Sequence, residues 1–147
     1  MERRIVLLMS DGLDTLSSTS YARVIDIARA RGVSFYVIHF PLFTPRDGRL
    51  APRPPSKGFR DLAEQTGGRY FKTGDAKSAL DPHPHYDLAP VFQAIEDDLR
   101  GQYVLGFYPG QTARDGRTRL VTISLSKPRK GLRVQQLKTS YSLSNEP

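Results

Sequence analysis

The sequence contains no cysteine and no apolar segment long enough to cross a bilayer. Without cysteine, disulfides and thiolate-bound zinc are excluded, and the redox state of the protein's compartment is left open. A membrane span needs roughly 20 apolar residues, whereas the longest apolar run here, Ile5 to Met9, has the length of a strand. The basic start lacks the apolar region and cleavage site of a signal peptide. We therefore expect a cytoplasmic chain without a membrane span, whose parent protein is exported if the true start lies upstream.

The composition is typical of a globular domain, with 38% hydrophobic, 25% charged and 10% aromatic residues in a chain of 147. That length favours a single domain with its own core. The net charge is +7, from 22 Lys and Arg against 15 Asp and Glu. The basic residues are spread along the chain, and only the segment 127–130 is dense in them. A solvated basic surface is the favoured interpretation, and a basic nucleic-acid-binding protein is the alternative.

The first forty residues have the pattern of a strand, a helix and a second strand. The run from Ile5 to Met9 has no polar alternation, which predicts a strand covered on both faces of a parallel sheet. Apolar residues then recur at helical spacing from Tyr21 to Ala28, and Gly32 is placed to end that helix. A second apolar strand follows at 33–38. A right-handed parallel crossover is the expected connection.

The rest of the chain divides into a mixed central part and an alternating tail. We expect the proline-rich segment 41–56 to be irregular, and Phe59, Leu62 and Ala63 to mark a short helix. A short strand at 69–72, a second irregular stretch and a helix beginning near Asp87 follow. After Gln102 the pattern predicts an antiparallel meander, with strands at 103–108, 119–126 and 132–134 and turns at Asp115-Gly116 and Lys130-Gly131.

Asp11 follows the first predicted strand directly and is the main candidate for a binding residue. Ligands of α/β sheets gather at the carboxyl ends of the strands, and a carboxylate there can bind a hard cation such as Mg²⁺. The alternative is an Asx turn, in which Asp11 accepts a hydrogen bond from the backbone that follows and Gly12 supplies the bend. Both interpretations fit this one carboxylate.

Several segments, in order, resemble the von Willebrand factor type A domain. The segment "VLLMSDGLDT" resembles that family's fourth strand with its Ser/Thr-Asp-Gly end, and "ARARGVSFYVIHF" looks like the next helix-to-strand step. The segment "FRDLAEQTGGRYF" looks like the family's "L-A-x-x-T-G-G" helix and strand. The segment "VFQAIEDDLRGQYVLGFYP" is similar to the last helix and "Q-Y-x-L-G-Y-x-P" strand of a bacterial subgroup, the von Willebrand factor A-related domain proteins. The resemblance covers nearly all of the chain.

The resemblance implies a fold and a function. The implied fold is a three-layer α/β sandwich with a mainly parallel, Rossmann-like sheet and a C-terminal antiparallel hairpin. Residues 1–147 would form a single domain lacking the family's N-terminal strands, and 103–138 its antiparallel extension. The implied function is non-catalytic: an adhesion-type protein-protein interaction module with a metal-ion-dependent adhesion site. Asp11 matches the aspartate that the family's fourth strand supplies to Mg²⁺ or another divalent cation.

One departure from the family is large. Its main ligands form an Asp-x-Ser-x-Ser motif on the first strand, and no such motif occurs in this sequence. The chain therefore resembles the C-terminal half of such a domain, with an incomplete metal site. Because the missing first strand would pair with Ile5 to Met9, that edge is expected to be exposed. We expect it to self-associate, to swap elements or to bind a separate N-terminal half, unless the C-terminal meander covers it.

Enzyme motifs are weak in this chain, and we predict that it is not an enzyme. Haloacid dehalogenase-like phosphatases need Asp-x-Asp after their first strand, whereas Asp11 and Asp14 are three residues apart. No P-loop or Gly-x-Gly-x-x-Gly motif supports a nucleotide. His83 and His85 flank Pro84, which suits either a transition-metal site or a proline-stiffened polar loop, the latter favoured. His39 is predicted to be a packing or hydrogen-bonding residue.

Overall fold

The computed structural model describes residues 4–110, 115–127, 134, 136 and 138–143. The chain divides after Gly101 into two compact units. In the described ranges, every helix is too short or too polar to cross a membrane.

A parallel sheet of three strands forms the centre of the first unit. Its strands are β1 (Arg4–Ser10), β2 (Val33–His39) and β5 (Tyr70–Lys72), in the order β1-β2-β5. β1 and β2 pair along their whole lengths, from Arg4 opposite Val33 to Ser10 opposite His39. β2 and β5 pair over three residues. The predicted parallel strand–helix–strand unit is thus confirmed, and so is the α/β class of the fold.

Helix α1 (Tyr21–Ala30) connects the first two strands and has the ends that the sequence predicts. The Ser20 hydroxyl accepts a hydrogen bond from the Arg23 N–H at 3.3 Å, which caps the first turn. The chain leaves the helix through Gly32, whose φ of +63° lies in the left-handed region that glycine tolerates. Ile25 and Ala28 are the buried residues of the helix. Through these residues, α1 packs against the sheet at β2.

β1 differs from the prediction that it is covered on both faces. Ile5, Val6, Leu7 and Met9 are 39–49% exposed, whereas the central residues of β2 are fully buried. An apolar run indicates that a strand is suited to burial. A strand is buried, however, only where other parts of the chain cover its faces and edges. In the part of the chain that the structure describes, β1 has a neighbouring strand on one side only. The covered strand is β2.

The proline-rich segment is also more regular than predicted. Strands β3 (Phe43–Arg46) and β4 (Arg49–Pro52) form an antiparallel hairpin. Its turn is Asp47-Gly48, with φ of +51° and +74°, and Asp-Gly is a strong hairpin signal. The prediction of irregular structure was wrong because it rested on the prolines and did not consider this dipeptide. In a two-stranded hairpin, proline at an outward position removes no ladder hydrogen bond.

Two further α-helices, a short 3-10 helix (Ser78–Leu80) and one buried cluster complete the first unit. Helix α2 (Phe59–Glu64) and helix α3 (Ala89–Arg100) lie close to their predicted positions. Val37, Phe59 and Ala63 form the centre of the core, and Leu8 packs against them. On the other face of β2, the buried Tyr36 hydroxyl donates to the Asp98 carboxylate of α3 at 2.6 Å. The architecture is mixed α/β with a small parallel sheet, and the number of layers stays a prediction.

The second unit contains little regular structure among its described residues. β6 (Arg119–Leu120) pairs with β7 (Ser140–Tyr141) in an antiparallel arrangement. The predicted strand at 103–108 is wrong, since these residues are not in a strand, have no strand partner among the described residues, and expose their large apolar side chains. A strand sequence without a partner cannot satisfy its backbone. The predicted strand at 119–126 is confirmed for its first two residues. Most of 132–134 and the Lys130-Gly131 turn lie outside the described residues.

Candidate functional site

The carboxyl end of β1 holds the candidate metal ligand in a tight turn. The Asp11 carboxylate accepts a hydrogen bond from the Leu13 N–H at 3.0 Å. The Ser10 hydroxyl accepts one from the Gly12 N–H at 3.1 Å. The Asp11 bond forms an Asx turn, the alternative that the sequence left open, and the Ser10 bond forms the corresponding serine turn. Asp11 is therefore occupied by the local backbone, and its role as a metal ligand stays a prediction.

A loop from the start of α2 packs onto this turn. The Ser56 N–H donates to the Gly12 carbonyl at 2.8 Å, and the Ser56 hydroxyl accepts from the Asp14 N–H at 2.9 Å. Gly12 is buried with φ of +79°, and a Cβ at that position would lie 2.7 Å from the Pro55 Cβ and 3.0 Å from Phe59. Sequence reasoning missed Ser56. The sequence feature that could have indicated it is the pair of prolines directly before Ser56, because prolines restrict the backbone conformation of the loop.

Replacing Gly12 by alanine should destabilise the protein by about 2–4 kcal/mol, because it adds backbone strain to a steric overlap. Gly48→Ala is the matched control. Gly48 also has a positive φ, +74°, but no atom lies within 4 Å of the added Cβ. Gly48→Ala should cost about 1 kcal/mol. Urea unfolding followed by circular dichroism measures both, and equal costs would contradict the close packing of the loop on the turn.

Asp14 adds a second carboxylate close to the Asp11 turn. Its carboxylate accepts hydrogen bonds from the N–H groups of Ser17 at 2.9 Å and Leu16 at 3.3 Å. The bonds from Ser17, chiefly, hold the pKa of Asp14 below its usual value. Burial raises the pKa of Tyr21, and the charges of Asp14 and Asp11 raise it further. Asp14 and Asp11 thus both lie near Tyr21, the first residue of α1.

The donor set at this turn is too small for a complete Mg²⁺ site. Mg²⁺ prefers six oxygen ligands in near-octahedral geometry. Both carboxylates of the turn already accept backbone N–H groups. Over the described ranges, no three His, Asp or Glu side chains converge where they could hold a metal ion. The residues present do not fit a fully coordinated cation.

His39 is a buried hydrogen-bonding residue that joins the ends of all three strands. Its side chain is 2% exposed and lies at the end of β2. Nε2 is 2.9 Å from the Asp11 carbonyl oxygen, which can only accept, so Nε2 carries the proton. Nδ1 then accepts from the Tyr70 hydroxyl on β5. Burial is the main cause that lowers the pKa of His39. The predicted packing role is confirmed.

A second polar group of residues follows β5. An open cleft of about 310 Å³ is lined by Thr73, Gly74, Asp75, Ser78, His85, Tyr86 and Asp87. Two of its carboxylates accept hydrogen bonds from the local backbone. Asp75 accepts from the Ser78 N–H at 2.8 Å, and Asp87 accepts from the Ala89 N–H, at the start of α3, at 3.0 Å. His83 and His85 are both exposed. These contacts agree with a polar loop stiffened by prolines.

The β3–β4 hairpin carries some of the exposed basic residues of the first unit. The β3–β4 hairpin carries exposed Arg46 and Arg49, and the Arg46 guanidinium is 3.9 Å from the Asp47 carboxylate. Surface pairs of this kind contribute little to stability. Nucleic-acid binding stays a prediction, which a steep loss of affinity with salt would support.

The outer edge of β1 is the most unusual surface of the first unit. The Ser10 carbonyl accepts a hydrogen bond from the Phe40 N–H at 2.9 Å, so the backbone groups of Ser10 point towards β2. Backbone groups alternate in direction along a strand. The N–H and C=O groups of Ile5, Leu7 and Met9 therefore point outward, where no strand of the described residues pairs with them. Their side chains are 42–49% exposed.

Comparisons with known proteins assign no family. No family model matches the chain, and no curated protein matches it significantly. Among solved structures, it is similar to the crystal structure of an uncharacterized membrane-spanning protein from Vibrio fischeri, with 18% identity and a TM-score of 0.44. The match covers 66% of this chain and 47% of that one, so the chain spans about half the length of its neighbour. The von Willebrand factor A resemblance stays a prediction.

Proposed function

We propose that this protein is a non-catalytic, adhesion-type interaction module that binds a partner by adding a strand to the outer edge of β1. The observation that carries the proposal is this edge itself. Its outward-facing residues Ile5, Leu7 and Met9 have half-exposed apolar side chains, and no strand in the described part of the chain pairs with their backbone groups. Unpaired edges of this kind template the addition of another strand. The backbone bonds supply affinity, and the side chains supply selectivity.

The proposed architecture is a three-layer α/β sandwich, a truncated sheet of the von Willebrand factor A type. The contacts on the two faces of β2 support it. Val37 packs against α2, whereas Tyr36, which points to the opposite face, bonds to Asp98 of α3. In that architecture the edge of β1 is where a further strand of the sheet would lie. The proposed module would carry an incomplete metal-ion-dependent adhesion site at Asp11, next to this edge.

Peptide binding to the full chain tests the proposed function. Short random peptides displayed on phage are selected on the wild-type protein and then measured by fluorescence polarisation against two variants. Leu7→Pro removes one outward N–H and should weaken binding about tenfold or more, because the neighbouring bonds are displaced too. Asp11→Asn can keep the Asx turn and should bind as the wild type does, with or without Mg²⁺.

The two variants separate strand addition from metal-bridged adhesion. Peptides that bind Leu7→Pro as tightly as wild type would contradict docking on β1. Peptides that need Mg²⁺ and lose affinity in Asp11→Asn would instead support a working metal site. Circular dichroism of each variant shows that it is folded before binding is compared.

A further inference from the structure

The outer edge of β1 is complementary to a second copy of itself. Its outward backbone groups belong to Ile5, Leu7 and Met9, which are evenly spaced about Leu7. If two such edges meet in antiparallel order about a twofold axis at Leu7, Ile5 of one copy lies opposite Met9 of the other. Leu7 then lies opposite Leu7 of the second copy. All three outward residues of each copy fall in hydrogen-bonded pairs, so no outward donor or acceptor is left over.

The side chains fit the same register. Residues directly opposite in an antiparallel pair lie on the same face, so Val6 of one copy meets Leu8 of the other and both faces bring apolar side chains together. At each end, Arg4 lies opposite Ser10, and the next residue of that second copy is Asp11. The arrangement therefore places no like charges opposite each other and brings a cation near a carboxylate.

The other edge of the sheet favours a closed pair over an open chain of molecules. β5 is three residues long, whereas β1 has seven. A head-to-tail arrangement would have to join β1 of one molecule to β5 of the next and would leave most of β1 unpaired. A twofold pair joins two edges of equal length and ends there.

We propose that the strand bound at β1 is β1 of a second copy of this chain, which gives a symmetric dimer with one continuous six-stranded sheet centred on Leu7. This inference rests on the proposed function, since it names the partner for the same edge. A second copy is favoured over a foreign strand because its own Ile5, Leu7 and Met9 supply a hydrogen-bond partner for every outward backbone group of the same three residues.

Single cysteine substitutions test the register, because the natural chain contains no cysteine. Hydrogen-bonded antiparallel pairs have Cα atoms about 5.5 Å apart, within the range that a disulfide spans. Under mild oxidation of the full chain, Leu7→Cys should form a disulfide-linked dimer. Ile5→Cys and Met9→Cys alone should not, since each lies opposite a different residue. Mixing these two proteins should restore cross-linking, with a yield at least about tenfold above that of the exposed helix control Arg23→Cys.

Paired charges give a second, independent test by light scattering. Ile5→Lys with Met9→Lys places lysines opposite each other and should yield monomers. Ile5→Lys with Met9→Glu places lysine opposite glutamate in the same register, and this variant should remain dimeric. Because both double variants remove the same two apolar side chains, a difference between them reports the pairing and not a general loss of folding.

The outcomes distinguish failure of this inference from failure of the proposed function. Equal self-linking of all three cysteine variants would indicate parallel pairing and overturn the twofold register. A monomer at every concentration whose Ile5, Leu7 and Met9 amides exchange rapidly with deuterium overturns the dimer and leaves the edge available to another strand. A monomer in which those amides are protected overturns both proposals, because the chain then covers its own edge.

Discussion

Substituting proline for Leu8 should remove most of the protein's stability, whereas proline at the neighbouring Leu7 should be tolerated. Leu8 N–H points towards β2, because Ser10 and Leu8 share the direction fixed by the bond from the Phe40 N–H to the Ser10 carbonyl. The Leu8 side chain also packs against Val37 and Phe59 in the core. Proline there removes an internal hydrogen bond and the packed side chain together. The expected cost is about 4–5 kcal/mol or more.

That cost matters because a domain of this size is stable by about 5–15 kcal/mol. Leu7→Pro is the matched control. It lies on the same strand, but its N–H points outward and its side chain is 42% exposed. We expect it to cost about 1–2 kcal/mol. Thermal and urea unfolding by circular dichroism measure both variants, and a Leu7→Pro protein less stable than Leu8→Pro would reverse the assignment of the outer edge.

Local patterns were sufficient to predict the strand–helix–strand unit. The apolar runs and the helical spacing from Tyr21 to Ala28 are properties of neighbouring residues, and the caps at Ser20 and Gly32 act within one turn. The same is true of Asp87 before α3, where a short side chain satisfies a free backbone N–H. These interactions do not depend on the rest of the fold.

The errors concern what covers a strand. Ile5 to Met9 was predicted to be covered on both faces, yet most of its side chains are exposed. Residues 103–108 were predicted to form a strand, yet they have no strand partner in the structure as described. Whether a strand pairs is decided by residues distant in the chain, which local alternation does not encode. The β3–β4 hairpin was different, because its Asp47-Gly48 turn is a local signal, but the prediction rested on the prolines alone.

The candidate site was predictable in part. Asp11 was placed at the carboxyl end of a strand by the apolar run before it, and the Asx turn was one of its two interpretations. Ser56 and Tyr70 could not be placed beside it, because each comes from an element far along the chain. His39 was assigned a hydrogen-bonding role from its strand position, but its partners depend on how β1, β2 and β5 align.

The stability of the protein should decrease as the pH falls from about 7.5 to 5.5, and His39 should be the cause. Burial lowers the pKa of His39 in the folded state below the value of about 6.5 that an unfolded histidine has. As the pH falls through 6.5, the unfolded chain binds a proton that the folded chain does not, so the unfolded state is favoured. The contribution of neutral His39 to the free energy of unfolding is therefore complete above about pH 6.5. It is lost as the pH falls from there to the pKa of His39 in the folded state.

The bonds of His39 give the physical reason for this direction. Nε2–H donates to the Asp11 carbonyl and Nδ1 accepts from Tyr70, so the neutral ring satisfies both partners. Protonation of Nδ1 adds a second donor, which competes with the Tyr70 O–H in a site where the ring is 2% exposed. His39→Ala removes both bonds and leaves a cavity. It should cost about 3–5 kcal/mol at neutral pH.

Two variants assign the pH dependence to this residue. His39→Gln keeps a polar side chain but does not titrate, so its free energy of unfolding should vary much less between pH 7.5 and 5.5 than that of the wild type. The double variant His83→Gln with His85→Gln removes the two exposed histidines and should keep the wild-type dependence. Urea unfolding at each pH measures all three proteins. The opposite result, in which the double variant loses the pH dependence and His39→Gln keeps it, would contradict the assignment. The pH dependence of the free energy of unfolding would then not arise from the neutral, doubly hydrogen-bonded ring of His39.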